Sequence, residues 1–104
     1  MTGAEMQTGI IDTARLCGWT VAHFRPARTK HGWATPVAAD GKGFPDLVLV
    51  HPERGIRFVE VKGSSDRVRP EQQMWIDRIN EAGGVALVVT PPVYDAFLEL
   101  LAKR

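Results

Sequence analysis

The sequence predicts an α/β fold in which one mixed sheet is covered by helices on both faces. Three observations carry this. Helical apolar stripes and short strand patterns succeed one another in the order helix, three strands, helix, strand, helix. The third and fourth strands are joined through a helix, a strand–helix–strand crossover that brings two parallel strands into one sheet. The 104 residues, 44% of them hydrophobic, are enough for one compact domain spanning 1–104 and too few for two of ordinary size.

The elements follow in order. Met6, Ile10, Ala14 and Cys17 form an apolar stripe at helical spacing over residues 4–17, with Gly18 as a stop. Residues 19–24 read as a strand ended by Arg25-Pro26. From Pro26 to Pro45 no periodicity is evident, and a stretch of that length in a compact domain is usually functional or mobile. Asp46 to Val50 is an apolar run behind a leading carboxylate, the pattern of a strand covered on both faces. His51 to Gly55 is turn chemistry, and Ile56 to Lys62 is expected to return antiparallel as a hairpin. Pro70 suits a first helical position. Trp75, Ile76, Ile79 and Ala82 supply the face of that helix, and Gly83-Gly84 closes it. Val85 to Thr90 is a buried strand, and Tyr94 to Ala102 an amphipathic helix.

Composition excludes several classes. A single cysteine, Cys17, rules out an internal disulfide and any multi-cysteine metal site, and is expected to pack in the core. His23, His31 and His51 lack ligand spacing for zinc. Gly41-Lys42-Gly43 lacks the frame of a phosphate-binding loop, so no nucleotide cofactor is expected. No apolar stretch approaches the ~18 residues that span a bilayer. The expectation is a soluble, cytoplasmic protein without a membrane partner.

The chemistry is concentrated on the predicted hairpin. Side chains alternate along a strand, so Phe58, Glu60 and Lys62 share one face. Asp46 opens the adjacent strand and brings its carboxylate beside that of Glu60. Two carboxylates close together in an apolar sheet repel and are costly to desolvate unless something compensates. A divalent cation does so, since Mg²⁺ takes one or two carboxylates and keeps several waters. Lys62, one strand step further, would orient a water or balance charge on a phosphate. Taken singly, Glu-Val-Lys also suits a solvent-facing strand, and Pro-Asp an ordinary turn. Their conjunction across one hairpin favours phosphodiester hydrolysis.

Gly43-Phe44-Pro45-Asp46-Leu47-Val48-Leu49-Val50, Phe58-Val59-Glu60-Val61-Lys62 and Arg69-Pro70-Glu71-Gln72 together resemble the VRR-NUC nuclease domain of the PD-(D/E)XK superfamily. The likeness extends to Glu5-Met6-Gln7 and Gly18-Trp19, and is nearest to small stand-alone bacterial and phage members. The resemblance implies a restriction-endonuclease-like fold and a Mg²⁺- or Mn²⁺-dependent endonuclease. It also implies Asp46, Glu60 and the Val61 carbonyl as metal ligands, with Lys62 at the attacking water. Gln72 lies on the helix stripe that packs toward the sheet. From spacing alone it is either a core residue satisfied by backbone or a group aimed into the site, and the resemblance favours the site. The match weakens at the first helix. Family members place a Glu four residues before the Gln matching Gln7, and that position here is Gly3. Glu5 lies more than about 90° from the stripe centred on Ile10. It reads as a solvated charge near a helix N-terminus, and as a metal ligand only if the helix begins late.

The net charge of +1 argues neither for nor against a nucleic acid. Its distribution is more informative. Residues 25–69 hold nine Lys and Arg against five acids, two of which are Asp46 and Glu60. Arg25, Arg28, Lys30, Lys42 and Arg67 are candidates to hold DNA phosphates, and Trp33 to stack on a base or wedge a junction. The alternative is a solvated basic loop. The expected function is structure-specific cleavage of branched DNA, in the manner of a Holliday-junction resolvase acting as a homodimer. The alternatives are a catalytically impaired DNA-binding or assembly module, and a flap or nicking nuclease within a repair complex.

Overall fold

The computed structural model describes residues 1–103. They form α1 (Gly3–Leu16), β1 (Thr20–His23), β2 (Ala27–Thr29), β3 (Gly32–Ala34), β4 (Leu47–His51), β5 (Gly55–Val61), α2 (Pro70–Glu81), β6 (Ala86–Val89) and α3 (Pro91–Ala102). Four strands make a mixed sheet in the order β1-β4-β5-β6. β4 is antiparallel to both β1 and β5, whereas β5 and β6 run parallel across the α2 crossover. The expected α/β fold, with helices on both faces of one mixed sheet, is the fold observed. No helix among the described residues is long and apolar enough to cross a membrane.

α1 and α3 cover one face. Met6, Ile10 and Ala14 of α1 meet Leu47, Leu49, Val59, Val61 and Val89 of the sheet and Phe97 and Leu101 of α3 in one continuous core. The two helices approach closely because residue 9 is Gly. A Cβ there would fall 1.7 Å from the Tyr94 hydroxyl oxygen. The Trp19 indole N–H donates to the Leu101 carbonyl at 3.1 Å, and the Arg54 guanidinium donates to the Leu100 and Leu101 carbonyls, closing the α3 C-terminus. Cys17, the α1 C-cap, is half-buried against this core.

α2 covers the other face together with residues 35–45. Phe44 sits edge-on to Phe24, Phe58 and Trp75, with centroids 5.6, 6.0 and 5.2 Å away. The Trp75 indole N–H donates to the Asp40 carbonyl at 3.0 Å, tying the long loop to α2. Gly43 has φ +88°, and a Cβ there would lie 2.6 Å from the Glu71 backbone, so only glycine lets the loop lie against the start of α2.

Three expectations need correction. The stretch from Pro26 to Pro45 is not structureless: β2 and β3 pair antiparallel as a separate ribbon. All six residues of its strands are exposed, so no burial pattern marked them. The run from Asp46 to Val50 is covered on both faces only at its start, because Val50 is exposed. The last helix begins at Pro91, with the two prolines in its first turn, where their missing N–H groups cost nothing.

Candidate active site

Asp46 stands just before β4, anchored through its backbone, whose carbonyl accepts from the Phe24 N–H at 2.9 Å. Register places Leu47 opposite Val59 and leaves Asp46 opposite the end of β5. There its carboxylate Oδ2 accepts from the Val61 N–H at 3.0 Å. In an extended residue the N–H and C=O project to the same edge, so the Val61 carbonyl points to the side where the Asp46 carboxylate sits.

Glu60 is on the α2 face of β5 and only 1% exposed. Gln72 reaches it from α2, its Nε2 donating to Glu60 Oε1 at 3.0 Å. The Gln72 Oε1 is committed elsewhere, accepting from the Arg69 N–H at 2.8 Å. That bond turns the amide nitrogen toward the carboxylate, since the acceptor end is already used. Gln72 therefore satisfies the N-terminus of α2 and holds Glu60 at once. The remaining carboxylate oxygen, Glu60 Oε2, is buried without a hydrogen-bond partner. Burial, and then the nearby Asp46 carboxylate, push the Glu60 carboxyl up to about 8, against the opposing charges of Lys62 and Arg69.

An unpartnered carboxylate oxygen in a buried position is unfavourable by itself. With the Asp46 carboxylate and the Val61 carbonyl it would form an all-oxygen donor set of the kind Mg²⁺ or Mn²⁺ accepts. These residues fit such an ion. No group of three or more His, Cys, Asp or Glu side chains among the described residues is placed to hold a metal. Glu5 is engaged elsewhere. It belongs to the α1 capping box: its Oε1 accepts from the Thr2 N–H, and the Thr2 hydroxyl accepts from the Glu5 N–H, both at 3.1 Å. These bonds hold the exposed carboxyl below the usual range. The helix starts at Gly3, so the late start that would turn Glu5 inward does not occur.

Asp46 and Gln72 open into a cleft of about 650 Å³ that Trp33, Phe44, Lys42 and Arg69 also line. Of the residues expected to meet DNA, Trp33 and Lys42 thus line the same cleft as Asp46. Arg28 packs its guanidinium over the Trp33 ring at 5.9 Å, and Lys30 stands at the tip of the ribbon. Arg25 lines a neighbouring groove with Trp33. Arg67, in the exposed loop before α2, does not line the cleft. Arg69 was missed by sequence reasoning. It was visible only as part of a motif, and the signal that marks it is its position at the N-terminus of the helix that carries Gln72.

A mixed sheet whose antiparallel hairpin brings two carboxylates and a lysine to one end, beside a cleft lined by Lys42 and Arg69 as well as Asp46 and Glu71, defines the restriction-endonuclease-like class. The VRR-NUC domain model matches residues 21–90, and the chain belongs to this family of nuclease domains. A solved structure described as a VRR_NUC domain is 25% identical and superposes with a TM-score of 0.67, over 95% of this chain and 97% of that one. None of the curated proteins matches the chain significantly. A nuclease is a hydrolase, and membership implies DNA as the substrate.

Proposed function

We propose that the chain, acting as a single domain, is a divalent-cation-dependent endonuclease that hydrolyses phosphodiester bonds in branched DNA. The observation that carries this is the buried, unpartnered Oε2 of Glu60 beside Asp46. Asp46, Glu60 and the Val61 carbonyl would hold Mg²⁺ or Mn²⁺. Such an ion supplies Lewis acidity to a phosphoryl oxygen and lowers the pKa of a bound water.

The remaining chemistry belongs to the chain. Gln72 fixes the Glu60 carboxylate by its amide N–H. Lys62, immediately after β5 and two residues beyond Glu60, orients the attacking water and balances charge on the scissile phosphate. Lys42 and Arg69 hold the backbone in the cleft, and Arg25, Arg28, Lys30 and Arg67 extend the grip outward. Each chain offers one such site, whereas a four-way junction needs two symmetric cuts, so a homodimer is the acting unit. The expected setting is the cytoplasm of a bacterial or phage-infected cell.

The test is a cleavage panel of duplex, flap, single-stranded and four-way-junction DNA with Mg²⁺ and Mn²⁺. Wild type should cut, with the junction preferred. Asp46→Ala and Glu60→Ala should fall to background while their circular dichroism stays native. Undiminished cutting by either variant would overturn the assignment.

Gly3 favours a second reading, a DNA-binding module impaired in cleavage. A Cβ at Gly3 would meet only the Gly63 amide nitrogen and Asp66 Oδ2, at 3.7 and 3.8 Å, so a Cβ has room there, and the neighbouring carboxylate, that of Asp66, is occupied by the Gly63 N–H. Tight binding of branched DNA with no cutting in either metal supports this reading. Gain of cutting in Gly3→Glu would support it further.

A further inference from the structure

The β2–β3 ribbon has no packing role: every residue in its strands is exposed, and a two-stranded ribbon is marginal in water by itself. Its Trp33 is 69% exposed, a large apolar surface left in solvent. Trp33 lines two cavities: the cleft that holds Asp46 and Gln72, and a second groove, of about 480 Å³, between α1, β1 and the ribbon.

The second groove has the chemistry of a single-strand track. Ile11, Pro26 and Trp33 give apolar walls for base faces, and Arg25 and His23 stand ready for phosphates. No carboxylate lines it. The surrounding sequence agrees, since residues 13–39 contain no Asp or Glu but carry Arg15, Arg25, Arg28 and Lys30. Arg28 lies over the Trp33 ring and braces it against lateral displacement.

We infer that Trp33 is a wedge at the branch point of DNA, steering one strand to Asp46 and Glu60 and the other, unpaired, into the Arg25 groove. The inference rests on the nuclease reading for which strand is cut, but not for the strand separation itself.

The probes are a forked duplex with one unpaired arm, carrying 2-aminopurine at the branch, and the blunt duplex of the same stem. Both are titrated by fluorescence anisotropy in EDTA, so that nothing is cut. Wild type should bind the fork about five- to tenfold more tightly than the blunt duplex, the scale of one or two stacked bases. It should also brighten the 2-aminopurine. Trp33→Ala should lose the brightening and bring the affinity ratio near unity, whereas Trp33→Phe should retain most of both. Thr8→Glu, which places an acid in the second groove only, should also lower the ratio. Both sites are exposed and accept substitution without disturbing the core, and thermal melts verify folding. Equal affinity of wild type for the two DNAs, or a loss in the variants that is the same for both, would overturn the inference. Fork selectivity with no cleavage in Mg²⁺ or Mn²⁺ would support the wedge while overturning the nuclease reading.

Discussion

The two faces of the sheet are built on opposite terms. On the α1/α3 face, Met6, Ile10, Leu47, Leu49, Val59 and Val89 are fully buried and wholly apolar. On the α2 face the same strand, β5, presents Glu60, equally buried but carrying an unpartnered oxygen. One strand thus serves two tasks because its side chains alternate: Val59 and Val61 hold the fold, while Glu60 between them is unfavourable to it. Stability and chemistry are separated by the thickness of a sheet, and the apolar face offsets the cost of the charged one.

That contrast can be tested by substitution on each face. The largest effect belongs to the apolar face: Ile10→Ala or Leu49→Ala should cost about 2–5 kcal/mol, measured by urea denaturation. Cutting should then persist at temperatures where the variant remains folded. On the α2 face, Gln72→Leu removes the donor to Glu60 and the acceptor for the Arg69 N–H. Cleavage should drop about 10–100-fold, the scale for residues that orient metal ligands. Higher Mn²⁺ should restore part of it, as a merely structural defect would not allow. The smallest effect is expected at Glu5. Its carboxyl is held low by the cap, so its contribution is present above the ordinary carboxylate pKa and fades as the pH falls through the lowered value. Glu5→Gln should lower the melting temperature slightly at neutral pH, less so in acid, and leave cleavage unaltered.

The hairpin was legible in the sequence because its information is local. The turn at His51–Gly55 and the two-residue strand period together place Asp46 and Glu60 on adjacent strands. Gln72 was legible by the helical period, although that pattern could not decide between a core amide and a site amide. The bond to Glu60 is a tertiary fact. The Phe44 cluster and the passage of Gly43 over Glu71 were likewise out of reach, since they join loop residues to a helix that follows much later. The ribbon escaped for a different reason. Periodicity reports burial, and β2 and β3 bury nothing. Its turn was nonetheless written in Thr29 and Gly32: the Thr29 hydroxyl donates to the Gly32 carbonyl and accepts from the His31 N–H, and Gly32 takes φ +111°. The Glu5 expectation turned on where the helix starts, which the Thr2–Glu5 capping box determines.

The most direct test is the thermal stability of wild type and Glu60→Gln at pH 8, with and without Mn²⁺. Glu60 has its carboxyl raised to about 8 by burial and by Asp46, so without metal the folded state binds protons that the unfolded state releases. Its stability should therefore fall as the pH rises from the ordinary carboxylate range toward 8. Glu60→Gln lacks this ionisation and should be the more stable protein in EDTA, by about 1–3 kcal/mol, the cost of a buried unsatisfied polar group. Mn²⁺ should reverse the order, stabilising wild type strongly and the variant weakly. A wild type that is already the more stable protein in EDTA, or an equal response of both to Mn²⁺, would contradict the account.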